Sequence, residues 1–139
     1  MRNEQTQTVV VGVDDSPHSN AALHWADNYA QATGASLRVV VAWQWAIAYG
    51  RPMAFEGYNP DLDAGAIAEK AIAELKTPRD RITIVVPESP PGEALVKASE
   101  DADLLVVGRH GHRTATSVLV GSVSNYCLHH ATVPVVVVH

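Results

Sequence analysis

The chain has 139 residues, of which 47% are apolar, with a net charge of −5 and one cysteine. That length suits a single domain, read here as residues 1–139, able to bury about two-thirds of its unfolded surface. The acidic balance without any basic run argues against nucleic acid as a partner, and no apolar run reaches the roughly 18 residues of a membrane span.

The polar start, Met1 to Gln7, lacks the apolar core of a signal peptide. Cys127 alone allows no internal disulfide, in keeping with a reducing, cytoplasmic location. Its apolar, helix-like context reads as a small buried hydrophobe.

Thr8 to Val13 is a β-branched run without polar alternation, the pattern of a strand buried on both faces. Ser16-Pro17 then opens a helix, with a capping hydroxyl followed by proline at the first position. Ala22, Trp25, Ala26, Tyr29 and Ala30 recur at helical spacing, and Gly34 caps the end. Asp15 suits the positive end of this helix. Asp14, at the carboxyl end of the strand, stands where open α/β sheets place ligands. Leu37 to Ala42 is the second strand.

Trp43 to Pro60 is the least regular stretch and holds five of the eight aromatic residues. Its aromatics either pack over the sheet edge and the second helix, or cover a ligand, or face a partner. A second helix follows over Asp61 to Lys76, with Leu62, Ala66, Ile67, Ala71 and Leu75 as its apolar face. Ile82 to Val86 is the third strand. Gly92 to Ala98 is a short helix that buries Ala94, Leu95 and Ala98. Leu104 to Val107 is the fourth strand, a helix runs from Ser122 to about His130, and Thr132 to Val138 is the fifth strand. Pro134 has no N–H to donate, so this last strand is expected at a sheet edge, open to pairing with another chain. Five strands alternating with four helices define an α/β fold with a parallel sheet and helices on both faces.

The fourth strand ends at Gly108-Arg109-His110-Gly111, and nine residues later comes Gly121-Ser122. Glycines on both sides of a strand-to-helix turn allow positive φ and close approach of the backbone to an anion. With a helix N-terminus behind them, the N–H groups form a phosphate cradle.

This spacing resembles the Gly-x2-Gly-x9-Gly-(Ser/Thr) signature of the nucleotide-binding universal stress proteins. The resemblance implies a Rossmann-like sheet of strand order 3-2-1-4-5. Its switch point brings the end of the first strand (Gly12, Val13 and Asp14) against the end of the fourth (Val107 and Gly108). It further implies ATP as ligand, with AMP, ADP or a cyclic nucleotide as alternatives. Asp14 would contact the adenosine and the Val41 backbone, with Ala42 close by, the adenine. Gly108 would admit the ribose and α-phosphate, and Gly111 would start the phosphate loop. Gly121 would give tight entry into the helix. The hydroxyls of Ser122 and Ser124 and the N–H groups of Ser122 and Val123 would hold the outer phosphates.

Arg109 and Arg113 are available to neutralise phosphate charge, the bland alternative for each being a solvated loop arginine. His110 is a candidate for a hydrogen bond within the site. No protein-bound metal is assigned, since Mg²⁺ prefers phosphate oxygens and water to an all-protein cage. The resemblance implies a homodimer through the last strand, residues 132–138.

There is no Gly-x4-Gly-Lys-(Ser/Thr) P-loop and no Gly-x-Ser-x-Gly elbow. The expected function is a nucleotide-dependent regulatory or stress-response module with at most slow ATP hydrolysis. The alternatives are a slow ATPase or nucleotidyl-transfer enzyme using the same crevice, and a dimeric interaction protein that binds no nucleotide.

Overall fold

The computed structural model of the chain describes residues 6–110 and 121–139. Five parallel strands form one sheet: β1 (Thr8–Gly12), β2 (Ser36–Val40), β5 (Ile82–Val85), β6 (Leu104–Gly108) and β7 (Val135–Val138). Their spatial order is β5-β2-β1-β6-β7. Counted along the main sheet, that is third, second, first, fourth, fifth, so the switch point lies between β1 and β6. The central strands lack alternation because both their faces are covered: Val9, Val10 and Val11 are fully buried. Val9, Val11 and Val39 pack with the helices α1 (Pro17–Thr33) and α2 (Pro60–Ala73). Val10, Val40, Leu105 and Val107 pack on the opposite side with α3 (Pro91–Ser99) and α4 (Ser122–His130). Cys127 of α4 is fully buried there, and burial pushes its thiol pKa up to about 11.

The ends of α1 follow from its sequence. The Ser16 side chain accepts from the Ser19 N–H, Pro17 opens the first turn, and Gly34 closes the helix at φ 79° with its N–H on the Ala30 carbonyl. Asp15 is not part of the helix's first turn. It precedes the cap at φ 63° and lies 3.8 Å from Lys70. Asp14 is the carboxylate that meets the cap, accepting from the Ser16 N–H at 3.0 Å and from its hydroxyl. Two helical faces overlap the expected ones only in part. In α1 the buried row is Ala22, Leu23, Ala26, Asp27 and Ala30, while Trp25 lies at the flank and stacks on Tyr29 at 5.3 Å. In α2 it is Ala64, Ala68 and Ile72, one turn apart, with Ile67, Ala71 and Leu75 of the expected face packed beside them and Leu62 exposed. Where alanine is frequent, two adjacent rows share helical spacing, and packing chooses between them.

Part of the irregular stretch is ordered as a small hairpin, β3 (Ile47–Ala48) and β4 (Arg51–Pro52), not expected from its sequence. Tyr49 and Gly50, both at positive φ, make its two-residue turn. Its aromatics meet one another, Trp43 and Trp45 edge-on, Trp45 and Tyr58 edge-on, and Tyr58 stacked on Phe55, while Trp43 also packs against the core.

Asp27 is the buried carboxylate of this core. It accepts from the N–H groups of Lys76 and Thr77 and from the Thr77 hydroxyl, at 3.0, 2.9 and 2.6 Å, and so ties the end of α2 to α1. Burial alone would raise its pKa, but these bonds outweigh burial and hold it below the ordinary 3.8. Asp27→Ala leaves those donors unpaired and is expected to cost about 3 kcal/mol in urea unfolding at neutral pH. Because the folded-state pKa is depressed, this stabilisation is present above about pH 4 and is lost as the pH falls through the folded value. The wild-type protein should therefore lose more stability on acidification than the variant does.

Candidate functional site

At the switch point, the carboxyl ends of β1 and β6 and the N-termini of α3 and α4 enclose a crevice of about 460 Å³. That volume is of the size that holds a small-molecule ligand. Gly12, Val13 and Asp14 enter it from β1 and the turn after it, and Val107 and Gly108 from β6. Gly121, Ser122, Val123 and Ser124 enter at the start of α4. These nine are residues that the sequence places at a ligand site, and the topology gathers them from three distant segments. Gly111 and Arg113 lie outside the described residues.

Val41 is not part of the lining. It is 2% exposed and packs in the core on the far side of the sheet. Its neighbours Val40 and Ala42 line the crevice instead. Successive residues of a strand point to opposite faces, so the Val41 side chain leaves the crevice, while its backbone, the part expected to meet the adenine, runs between two lining residues.

Arg109 is likewise absent from the lining. Its backbone closes the turn: its N–H bonds the Val138 carbonyl at 2.9 Å, and its carbonyl accepts from the Gly121 N–H at 2.6 Å. Ser124 lines the crevice, but its hydroxyl proton is donated to the carbonyl of Gly108, with that of Arg109 at 3.3 Å. Ser124 therefore straps α4 to the end of β6, and its hydroxyl is not available to donate to a phosphate.

Positive φ is not what the crevice glycines supply. Among the described residues, only Gly34, Gly50 and Gly57 are glycines at positive φ. Gly108 is instead required by space, and at Gly121 the space is tight. A Cβ at Gly108 would lie 2.5 Å from the His18 carbonyl oxygen, in the first turn of α1. One at Gly121 would lie 3.3 Å from both the Arg109 carbonyl oxygen and the His110 Cα.

No ligand role was expected of Ser19, Gln44, Pro91 and Leu95, which also line the crevice. Ser19 had one legible signal, its place three residues after the cap. Its hydroxyl accepts from the Asp14 N–H at 3.1 Å and donates to the Ser16 carbonyl, fixing the turn that carries Asp14. His110 lines the crevice too. It is 7% exposed, and its ring packs edge-on against His18 at 5.3 Å.

Gly121 carries no side chain to cap α4, and the first turn of that helix has no acidic residue. Its first N–H groups have no partners within the helix, and the helix dipole adds positive potential at the same point. Chemically the crevice joins an anion-attracting helix end to a carboxylate-bearing turn, with the apolar walls of Val40, Ala42 and Leu95 between them. Among the described residues, no cluster of three or more His, Cys, Asp or Glu is arranged to hold a metal. No described helix is long and apolar enough to cross a membrane.

Together, the doubly wound parallel sheet and the crevice at its switch point define an α/β protein of the Rossmann-like class. Residues 5–139 match the Universal stress protein family, and the chain belongs to that family. It is 35% identical over 134 residues to a universal stress protein of Mycobacterium tuberculosis (strain ATCC 25618 / H37Rv), covering 96% of this chain and 45% of that protein. The chain thus spans about half the length of the first curated relatives it matches. A universal stress protein of Thermus aquaticus is 32% identical, covering 95% of this chain and 98% of the relative. Among solved structures, a universal stress protein in complex with cAMP is similar with a TM-score of 0.63 and 31% identity, covering 96% of each chain.

Proposed function

We propose that the chain is an adenine-nucleotide-binding regulatory module of the stress response, acting in the cytoplasm, with ATP as its ligand and Mg²⁺ bridging the phosphates. One observation carries this reading: the first turn of α4, uncapped by any side chain of the described residues, opens into the same crevice as the turn that bears Asp14. Phosphate at a helix N-terminus meets N–H donors and the positive end of the dipole together. The Ser122 hydroxyl and the N–H groups of Ser122 and Val123 hold the phosphates. Asp14 takes the adenosine, and the segment from Val40 to Ala42 takes the adenine. The cAMP complex of a protein 31% identical to this one supports an adenine nucleotide as the class of ligand. AMP, ADP and cyclic nucleotides remain competitors of ATP for the same crevice.

The proposed partner is a second copy of the chain, paired along β7. That strand ends the sheet, and Val135 to Val138 are half-buried with one edge unpaired among the described residues.

The test is calorimetric titration of nucleotide-free protein with ATP–Mg²⁺, AMP and cAMP in turn. Saturable binding of at least one of them is expected. A folded protein that takes up none of them would sink the reading.

A further inference from the structure

One buried polar group in the crevice is left without a partner among the described residues. His110 is 7% exposed, and its Nδ1 makes no hydrogen bond to any of them. A buried ring nitrogen without a partner carries a desolvation cost that a bound group can relieve. The atom sits beside the start of α4, since a Cβ built on Gly121 would lie 3.6 Å from it. It therefore stands next to the uncapped helix end, where an anion is favoured for independent reasons.

We propose that His110 is a proton-coupled anion contact: on ligand binding its imidazole takes up a proton and Nδ1–H donates to a phosphate oxygen. This rests on the nucleotide reading above and adds to it a pH dependence with a defined sign.

The surroundings explain why the proton arrives with the ligand. Burial first, then the charges of Arg109 and His18, hold the His110 pKa below the ordinary 6.5. Arg109 comes from the end of its own strand and His18 from α1, whose ring meets that of His110 edge-on. From α4 come Ser122, Val123 and Ser124, none of them acidic, together with the positive end of the dipole. α3 brings Pro91 and Leu95, and the turn after β1 brings Asp14, the one carboxylate in the described lining. A cation is thus disfavoured at His110 in the empty crevice. A phosphate reverses that balance, because its negative charge favours the imidazolium and accepts its hydrogen bond.

The sign follows. The pKa is low in the free protein and raised in the complex, so binding takes up protons. The contribution of His110 to affinity is full at low pH and is lost as the pH rises through the bound-state value.

The experiment compares wild type with His110→Gln. Each is titrated with ATP–Mg²⁺ in buffers of different ionisation enthalpy, across about pH 6 to 8. Protonation of the nucleotide itself is common to both proteins and cancels in the difference. The wild type is expected to take up more protons than the variant. The variant should bind about tenfold more weakly at the acid end, with the gap closing at the alkaline end.

Equal proton uptake and equal pH slopes in the two proteins overturn the inference while leaving nucleotide binding intact. So does a weaker variant whose deficit does not change with pH, the mark of a neutral Nδ1–H donor. Failure of the wild type to bind any nucleotide overturns this inference and the reading beneath it together. Should the variant not fold, imidazole nitrogen NMR on the wild type decides: nucleotide must move the His110 signals to imidazolium positions, and unmoved signals refute the proposal.

Discussion

Gly108→Ala is expected to lower stability by about 3 kcal/mol, the upper part of the usual range for overpacking. The methyl would lie 2.5 Å from the His18 carbonyl oxygen, 2.6 Å from its carbon and 2.9 Å from the Ser19 nitrogen. All three are backbone atoms of the first turn of α1, so no rotamer change can make room. The helix must move off the sheet, and it carries with it the turn that holds Asp14. For a chain of this size, the loss should appear as a drop of about 10 °C in melting temperature. Gly65→Ala is the control: a Cβ there meets nothing within 4 Å, and the residue lies within α2. That substitution should stabilise by about 0.5–1 kcal/mol. Opposite signs for one chemical change would show that space, rather than glycine's flexibility, explains Gly108. A harmless Gly108→Ala would refute this account of the β6–α1 contact.

Gly121→Val is expected to weaken nucleotide binding about 100-fold while leaving the fold in place. Gly121 has φ −76° and ψ 172°, extended backbone that valine adopts readily. Its Cβ contacts are tight but not prohibitive, at 3.3 Å to Arg109 and His110 backbone atoms. The branched side chain would instead fill space beside the first turn of α4, where the phosphates are proposed to sit. Losing two hydrogen bonds to a charged group costs about 3 kcal/mol, which is about 100-fold in affinity. Circular dichroism should be unchanged, and calorimetry should show the loss. Unchanged affinity would remove α4 from the site.

The sheet was legible because its strands are apolar throughout. A run such as Val9-Val10-Val11 has no polar face to show and so reads as a strand covered on both sides. Pro134 marked the edge correctly: it precedes β7, and its carbonyl accepts from the Leu105 N–H. What depended on phase was not legible. Val41 and its neighbours are alike in character, and nothing in three consecutive apolar residues says which faces the crevice. The face of α2 was legible only in part, for the same reason: Ile67, Ala71 and Leu75 pack against the core as expected, while Ala64, Ala68 and Ile72 in the adjacent row are its buried centre.

The glycine spacing located the crevice, but the physical reason differs from the one the spacing invites. Gly108 is small because α1 passes over it, a contact between segments 90 residues apart along the chain. The partnerless Nδ1 of His110 was equally hidden. Sequence offers the residue type, but only the folded surroundings show that it is buried against His18 with one nitrogen unused.

The central claim is that the crevice at the switch point is the nucleotide site. Backbone amide NMR tests it most directly, by following each amide as ATP–Mg²⁺ is added. The account predicts that the largest shifts fall on Gly108, Gly121, Ser122 and Val123, with smaller ones at Asp14 and Ala42. Shifts centred on the aromatic stretch from Trp43 to Tyr58, with α4 silent, would contradict it and move the site to the hairpin side of the molecule.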